Sequence, residues 1–343
     1  MSGMRAGSAD EWHAGRSRRM ARWSQFAAMG TMAHVCVVGL PEGAAAEAAS
    51  AAQTVVCEVE AALSRFRADS DVGRLNAFPG EWLPVGRHLV AVAQAAARYR
   101  TLTRGAFDAI TGGAPPGVGE ESEQGGSGAG RDERLALRRV GEAWEARLAP
   151  GCAVDYGAIA KGYAADLARD AVRAPGVLVS LGTSSIAMAG TPPERDAWRV
   201  AIGSPWAEVA DSLGYLEATQ GSFSLSGVRG HRLGRSVRPG HVRDPRTGQP
   251  ARTDACAVGV LSDRASRDDG APVDGPGGAG MRSEALSTAC LVLGVDAGLD
   301  LCHTLRASAI LLTASGEIRA TPDLAPRVSL RAGIQAHLRR PKT

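Results

Sequence analysis

The segment Val154-Asp155-Tyr156-Gly157-Ala158-Ile159-Ala160-Lys161-Gly162-Tyr163 constrains the fold more than any other in this chain. A strand ending at Asp155 must turn sharply and enter a helix within a few residues, and the small residues Gly157 and Ala158 let the backbone do so. Such an entry leaves backbone N–H groups and the positive end of a helix dipole facing outward, which suits an anionic ligand. Lys161 adds a positive charge on the first turn. Taken alone, the same residues also describe an ordinary strand-to-helix turn with an exposed lysine.

The surrounding sequence mixes helices with short strands. Met29-Gly30 reads as a turn before an alternating, β-rich strand over Thr31–Gly39. Apolar residues at helical spacing predict helices over Glu42–Phe66, His88–Tyr99, Ile159–Val172 and Ser283–Leu293. Ala68-Asp69-Ser70-Asp71 supplies capping and turn residues between the first two. Further strands are expected over Trp198–Ile202, Gly221–Ser226, Ala255–Leu261 and Ala309–Leu312. Strands and helices do not alternate regularly, so the fold class is α+β. Residues 1–26 carry Arg16, Arg18 and Arg19 without an apolar core behind them, and read as a disordered extension before one domain over 27–335. The stretches 112–130 and 266–280 are dense in Gly, Pro and polar residues and read as surface insertions.

Bulk properties exclude several functions. The chain has 343 residues, 39 basic and 36 acidic, a balance of +3 that gives no basis for a nucleic-acid or membrane partner. No apolar run is long enough to span a bilayer. The six cysteines include no Cys-x-x-Cys pair, which argues against zinc-knuckle or thioredoxin chemistry and fits a reducing cytoplasm.

Four further segments carry chemistry-bearing residues. In Arg238–Pro250, Asp244-Pro245-x-x-Gly248 is a turn signature, and His241 just before it titrates near neutral pH. A solvated hairpin with a surface histidine fits the same residues. In Ser283–Ala289, Glu284 and Thr288 lie four apart and share a helix face. A carboxylate and a hydroxyl are hard donors of the kind Mg²⁺ takes, although a capping serine followed by a stabilising glutamate reads equally well. Phe66, among cationic and polar turn residues in Ser64–Asn76, is placed to face a planar ring or to pack in the core. Asp108 in Gly105-Ala106-Phe107-Asp108 is placed to cap a helix or touch a ligand.

In this order, the five pieces resemble the ApbE-like family of FAD:protein FMN transferases, over most of the chain from Met29 to about Leu293. Asp155–Tyr163 is similar to the family's Asp-Leu-Gly-Gly-Ile-Ala-Lys-Gly-Tyr, and His241–Gly248 to its His-Ile-Ile-Asp-Pro-x-Thr-Gly. The resemblance implies a mixed-sheet fold with helices on the sheets and a central FAD cleft. Met29, Phe66, Ala106, Phe107 and Asp108 would line the flavin and adenine portions, and Asp155, Lys161 and Arg243 would hold the nucleotide. The Ala158 carbonyl, Glu284 and Thr288 would bind Mg²⁺. His241, or alternatively Asp244, would take the proton of the acceptor hydroxyl. The implied reaction moves FMN from FAD to a threonine of a partner bearing an Asp-Gly-x-Thr-type motif and releases AMP; no such motif occurs in this chain itself. The sequence departs from the family pattern at Glu284, usually Asp, at Ala158, usually Gly, and at Ile110, usually Thr. An FAD pyrophosphatase and an FAD-binding member without turnover are the alternative readings.

Overall fold

Met29 and Gly30 both have positive φ, 51° and 70°, the signature of a two-residue hairpin turn whose twist matches that of its strands. They join β1 (Ala21–Ala28) to β2 (Thr31–Val38), paired in register from Ala21↔Val38 to Ala28↔Thr31. The expectation of a disordered extension up to residue 26 is therefore corrected from Ala21 onward. Arg22 and Ser24 interrupt the inward-facing alternation of β1, so the strand has no apolar period of its own and is recruited by its partner. The protein is described by a computed structural model over residues 20–112, 133–205, 212–227, 242–263, 267–268, 271–272, 277–313 and 315–331. The first insertion, beyond Gly112, and His241 lie outside the described residues.

Six more strands complete the main sheet: β3 (Gly176–Leu181), β4 (Ser185–Gly190), β5 (Gly221–Gly227), β6 (Ala255–Ser262), β7 (Ser308–Thr313) and β8 (Ile318–Ala320). The eight strands lie side by side in chain order, and every neighbouring pair is antiparallel. The fold is thus an antiparallel meander interrupted by excursions that cover its two faces. Alternation along the strands sorts the core. Val35, Val37, Val177, Val179, Val258, Val260 and Leu311 face the helices. Cys36, Val38, Leu178, Met188, Ile310 and Leu312 face a three-stranded ribbon of Trp198–Gly203, Ser212–Ala218 and Val328–Leu330.

The helical face holds α1 (Glu42–Leu63), α2 (Asp71–Ala77), α3 (Arg87–Leu102), α4 (Ala160–Asp170), α5 (Gly278–Leu293) and α6 (Val295–Thr304). In α1, Ala45, Ala49, Ala52, Val56, Val59 and Leu63 recur at three- and four-residue steps and are all buried, so alanines let this helix pack close to its neighbours. Ser70 caps α2 by accepting the Gly73 N–H at 2.8 Å, as the capping residues predict. Helix α5 starts five residues before the expected Ser283, which trims the second insertion. Its first turn, Gly278-Ala279-Gly280, has poor helix propensity and is held by tertiary contacts.

Candidate active site

Helices α4 and α5 meet at two glycines. A Cβ on Gly162 would lie 2.3 Å from the Gly280 carbonyl oxygen and 2.7 Å from Cγ of Glu284; one on Gly280 would lie 2.0 Å from the Gly162 carbonyl oxygen. Only bare backbones fit there, and this contact puts Glu284 against α4, four residues after Ala158. Glu284 is 4% exposed and takes a short hydrogen bond from the Ser185 hydroxyl at the start of β4. Thr288, one turn along, meets the Ser226 hydroxyl at 3.4 Å. The sequence Ser222-Phe223-Ser224-Leu225-Ser226 alternates on β5, so Phe223 and Leu225 face the ribbon while the serines face α5. Ser287 meets Ser224 at 3.2 Å and Ser226 at 2.8 Å. The floor of the site is therefore a row of hydroxyls beside the Glu284 carboxylate. Among the described residues no three His, Cys, Asp or Glu side chains cluster. A divalent ion here would rest on Glu284 and neutral oxygens and leave room for ligand phosphates, which is how Mg²⁺ is commonly bound.

The entry turn to α4 lies at the rim. Asn76 holds the strand before it from both sides, donating to the Val154 carbonyl at 2.9 Å and accepting the Val154 N–H at 2.8 Å. Asp155 then accepts the Gly157 N–H at 2.9 Å and pairs with the Arg65 guanidinium at 3.3 Å. Arg65 also lies over the Phe66 ring, 4.6 Å from its centroid, and that ring is 85% exposed. Lys161 folds back, its ammonium donating to the Gly157 carbonyl at 3.1 Å. Met29, in the β1–β2 hairpin turn, ties that hairpin to α1: its N–H donates to Glu60 at 2.7 Å.

The Gly105–Asp108 segment joins this rim because the Asp155 N–H donates to the Ala109 carbonyl at 2.8 Å. Ala106 and Phe107 are core residues, 0% and 1% exposed, so the Phe107 ring packs among the helices. Asp108 accepts from Arg134 at 2.9 and 2.7 Å and from Arg100 at 3.1 Å, which fixes the loop. The turn over 242–251 closes as its sequence predicts: Gly248, with φ 68°, donates its N–H to the Asp244 carbonyl at 2.8 Å. Asp244 accepts two hydrogen bonds from the Arg246 side chain, at 2.8 and 2.7 Å, and these hold its carboxyl below the usual carboxylate range. Arg246 packs beside Gly105, whose added Cβ would lie 3.3 Å from Arg246 Cγ, so this turn and the Asp108 loop are neighbours. Arg243 is exposed and donates to the Gly248 carbonyl at 2.8 Å.

A helix entrance that carries Lys161 beside a carboxylate–hydroxyl pair is chemically suited to a ligand that carries phosphates. The chain belongs to the ApbE family, whose model matches residues 29–312. It is 26% identical over 256 residues to a Vibrio cholerae protein named FAD:protein FMN transferase, covering 71% of this chain and 72% of that one. A Rhodobacter capsulatus protein of the same name is 33% identical over 187 residues, 52% of this chain and 32% of its own length. In fold the chain is similar to the flavin transferase ApbE from Vibrio cholerae, with a TM-score of 0.69 at 21% identity over 90% of this chain and 99% of that one. The ApbE protein from Thermotoga maritima gives 0.69 at 20% identity, over 90% and 100%.

No motif in the sequence points to a role for Ser185, Ser226, Asn76, Arg65 or Arg246. The Ser-x-Ser-x-Ser alternation marks Ser226 as facing the same way as Ser222 and Ser224, which is a usable signal. Ser185 lies 99 residues from Glu284 in the chain, and nothing local announces their contact.

Proposed function

We propose that this chain is an FAD:protein FMN transferase that moves FMN from FAD to a threonine hydroxyl of a target flavoprotein carrying an Asp-Gly-x-Thr-type motif, with release of AMP. The observation that carries the reading is the pair Glu284–Thr288 on one face of α5, lying over serine hydroxyls with α4 pressed against it at Gly162. Glu284, Thr288 and the Ala158 carbonyl would hold Mg²⁺, which when bound neutralises charge on the pyrophosphate and polarises phosphorus. Lys161, on the first turn of α4, binds phosphate oxygens. Phe66, exposed and already stacked with Arg65, offers a platform to one of the two ring systems of FAD. Met29 and the Ala106–Asp108 loop shape the wall behind it, the loop through its backbone. Asp155 orients the phosphate-binding turn, and Arg243 lies at the outer edge.

The acceptor hydroxyl must lose a proton as it attacks the FMN-side phosphorus. His241 is assigned that role. Asp244 is the weaker candidate because its pairing with Arg246 lowers its basicity. The six cysteines, none in a disulfide, favour a cytoplasmic setting; recovery of the native protein from another compartment would overturn that placement. Among the described residues no helix is long and apolar enough to cross a membrane.

Incubation with FAD, Mg²⁺ and a target peptide or protein bearing the motif tests the whole reading. Equal amounts of AMP and covalent FMN adduct are expected, with both lost in EDTA. AMP without adduct would identify a pyrophosphatase. FAD binding with neither product would identify a member without turnover, and Glu284→Asp would then show whether the longer side chain is the cause.

A further inference from the structure

Helix α5 lacks a cap of its own. Its N-cap residue is Gly277, at φ 77°, and no side chain of α5 satisfies its first N–H groups. The acceptor comes from another helix: Asp166 of α4, 1% exposed, takes the Gly280 N–H at 2.7 Å through Oδ2. Its other oxygen, Oδ1, receives a short hydrogen bond from the Ser222 hydroxyl of β5 and the guanidinium of Arg169 at 2.9 Å. Burial pushes the carboxyl pKa up, and Arg169, Ser222 and the Gly280 N–H oppose that push. Ser283 adds a parallel tie, donating to the Ser222 carbonyl at 2.7 Å. A single buried carboxylate thus joins α4, α5 and β5, the elements that carry or contact Ala158, Glu284 and Thr288.

Burying a charged group at such a junction is costly unless each of its oxygens is satisfied, and here both are. Gly280 lies one turn before Glu284, and the Gly162–Gly280 contact leaves no slack between the helices. Where Asp166 holds Gly280 is therefore where Glu284 meets Ser185 and Gly162 of α4. We infer that Asp166 is a positioning residue for the proposed metal site, fixing from α4 the height and rotation of the first turns of α5. The inference rests on the proposed reading of Glu284 and Thr288 as metal ligands.

Mn²⁺ binding to the intact protein with FAD, followed by electron paramagnetic resonance, separates positioning from simple stability. Asp166→Ala leaves Arg169 paired with Asp170 at 2.9 Å, which favours a folded variant. Mn²⁺ affinity is expected to fall roughly 10- to 100-fold, the range for removing an outer support of a ligand. FAD affinity in EDTA is expected to stay at the wild-type value. Ser222→Ala keeps the Asp166–Arg169 pair and should show a smaller loss in the same direction. A merely structural role would lower thermal stability and leave Mn²⁺ affinity of the folded protein unchanged, and that result would overturn the inference. If Asp166→Ala does not fold, wild-type Mn²⁺ affinity in Ser222→Ala overturns it. Wild-type protein that binds FAD but no Mn²⁺ would instead remove the metal site itself, and the inference with it.

Discussion

Around Glu284, helix α5 is buried on nearly every side, whereas at Phe66 and Asp155 the same site stands open to solvent. The floor places Arg282, Ser283, Glu284 and Ser287 among buried residues, and their polar atoms find fixed partners in β4, β5, β6 and the loop after α6. At Phe66 and Asp155 the rim holds its charges in an exposed pair, Arg65–Asp155, about half exposed on both sides, while its Asp108 loop is fixed by the more buried pair with Arg134. Exposed pairs contribute little to stability and exchange partners readily, while buried networks are costly to disturb. The floor is thus pre-organised, and the rim is free to trade its internal contacts for those of a ligand. This difference predicts that floor substitutions act on folding and metal together, and rim substitutions on ligand affinity alone.

The largest effect is expected from Gly162→Ala. The new methyl group would meet the Gly280 backbone, which cannot swing aside as a side-chain tip can. Overpacking of this kind costs about 1–3 kcal/mol and sometimes more. Denaturant unfolding should show a loss near or above the upper end of that range, with Mn²⁺ binding weakened in whatever remains folded. A variant of wild-type stability and metal affinity would show that the two helices can separate freely, and the contrast between floor and rim would fail.

That close contact also shows what the sequence made legible. Strand-to-helix turns, the Met29-Gly30 hairpin and the Asp244–Gly248 turn are local devices, and local residue types encode them. Strands β2, β5, β6 and β7 of the main sheet were readable for the same reason, whereas β3, β4 and β8 were not among the expected strands. Strand β1 was not, because its inward positions include Arg22 and Ser24 and its order comes from β2. The early start of α5 was hidden too. Gly278 and Gly280 look like loop residues until Asp166, 114 positions away, accepts the Gly280 N–H. At the site, spacing four apart put Glu284 and Thr288 on one face, but the hydroxyls they meet belong to strands reached only through tertiary packing.

Phe66→Ala probes the rim. The ring is 85% exposed, so its removal should change stability by no more than about 0.5 kcal/mol. If it serves as a stacking platform, FAD binding should weaken by about 1–3 kcal/mol, roughly 5- to 150-fold in Kd. Isothermal titration with FAD in EDTA isolates the effect from the metal. Unaltered FAD affinity would take Phe66 out of the ligand surface.

The smallest effect is a pH dependence that separates the two regions. His88 on α3 contacts the Tyr163 hydroxyl of α4 at 3.0 Å, beneath the floor. Burial, with Arg87 adding to it, lowers the pKa of His88 below its ordinary 6.5, so the unfolded chain takes up this proton first as pH falls. Stability from this group is therefore full above 6.5 and declines as pH drops from there toward the depressed value. Asp244 at the rim behaves differently. Its carboxyl lies below 3.8, so the contribution of its pairing persists through the His88 window and is lost only in stronger acid. Unfolding by urea across that window should show a shallow decline in the wild type and none in His88→Gln. An identical decline in both would mean that the α3–α4 contact does not sense protons, and that another group supplies the dependence.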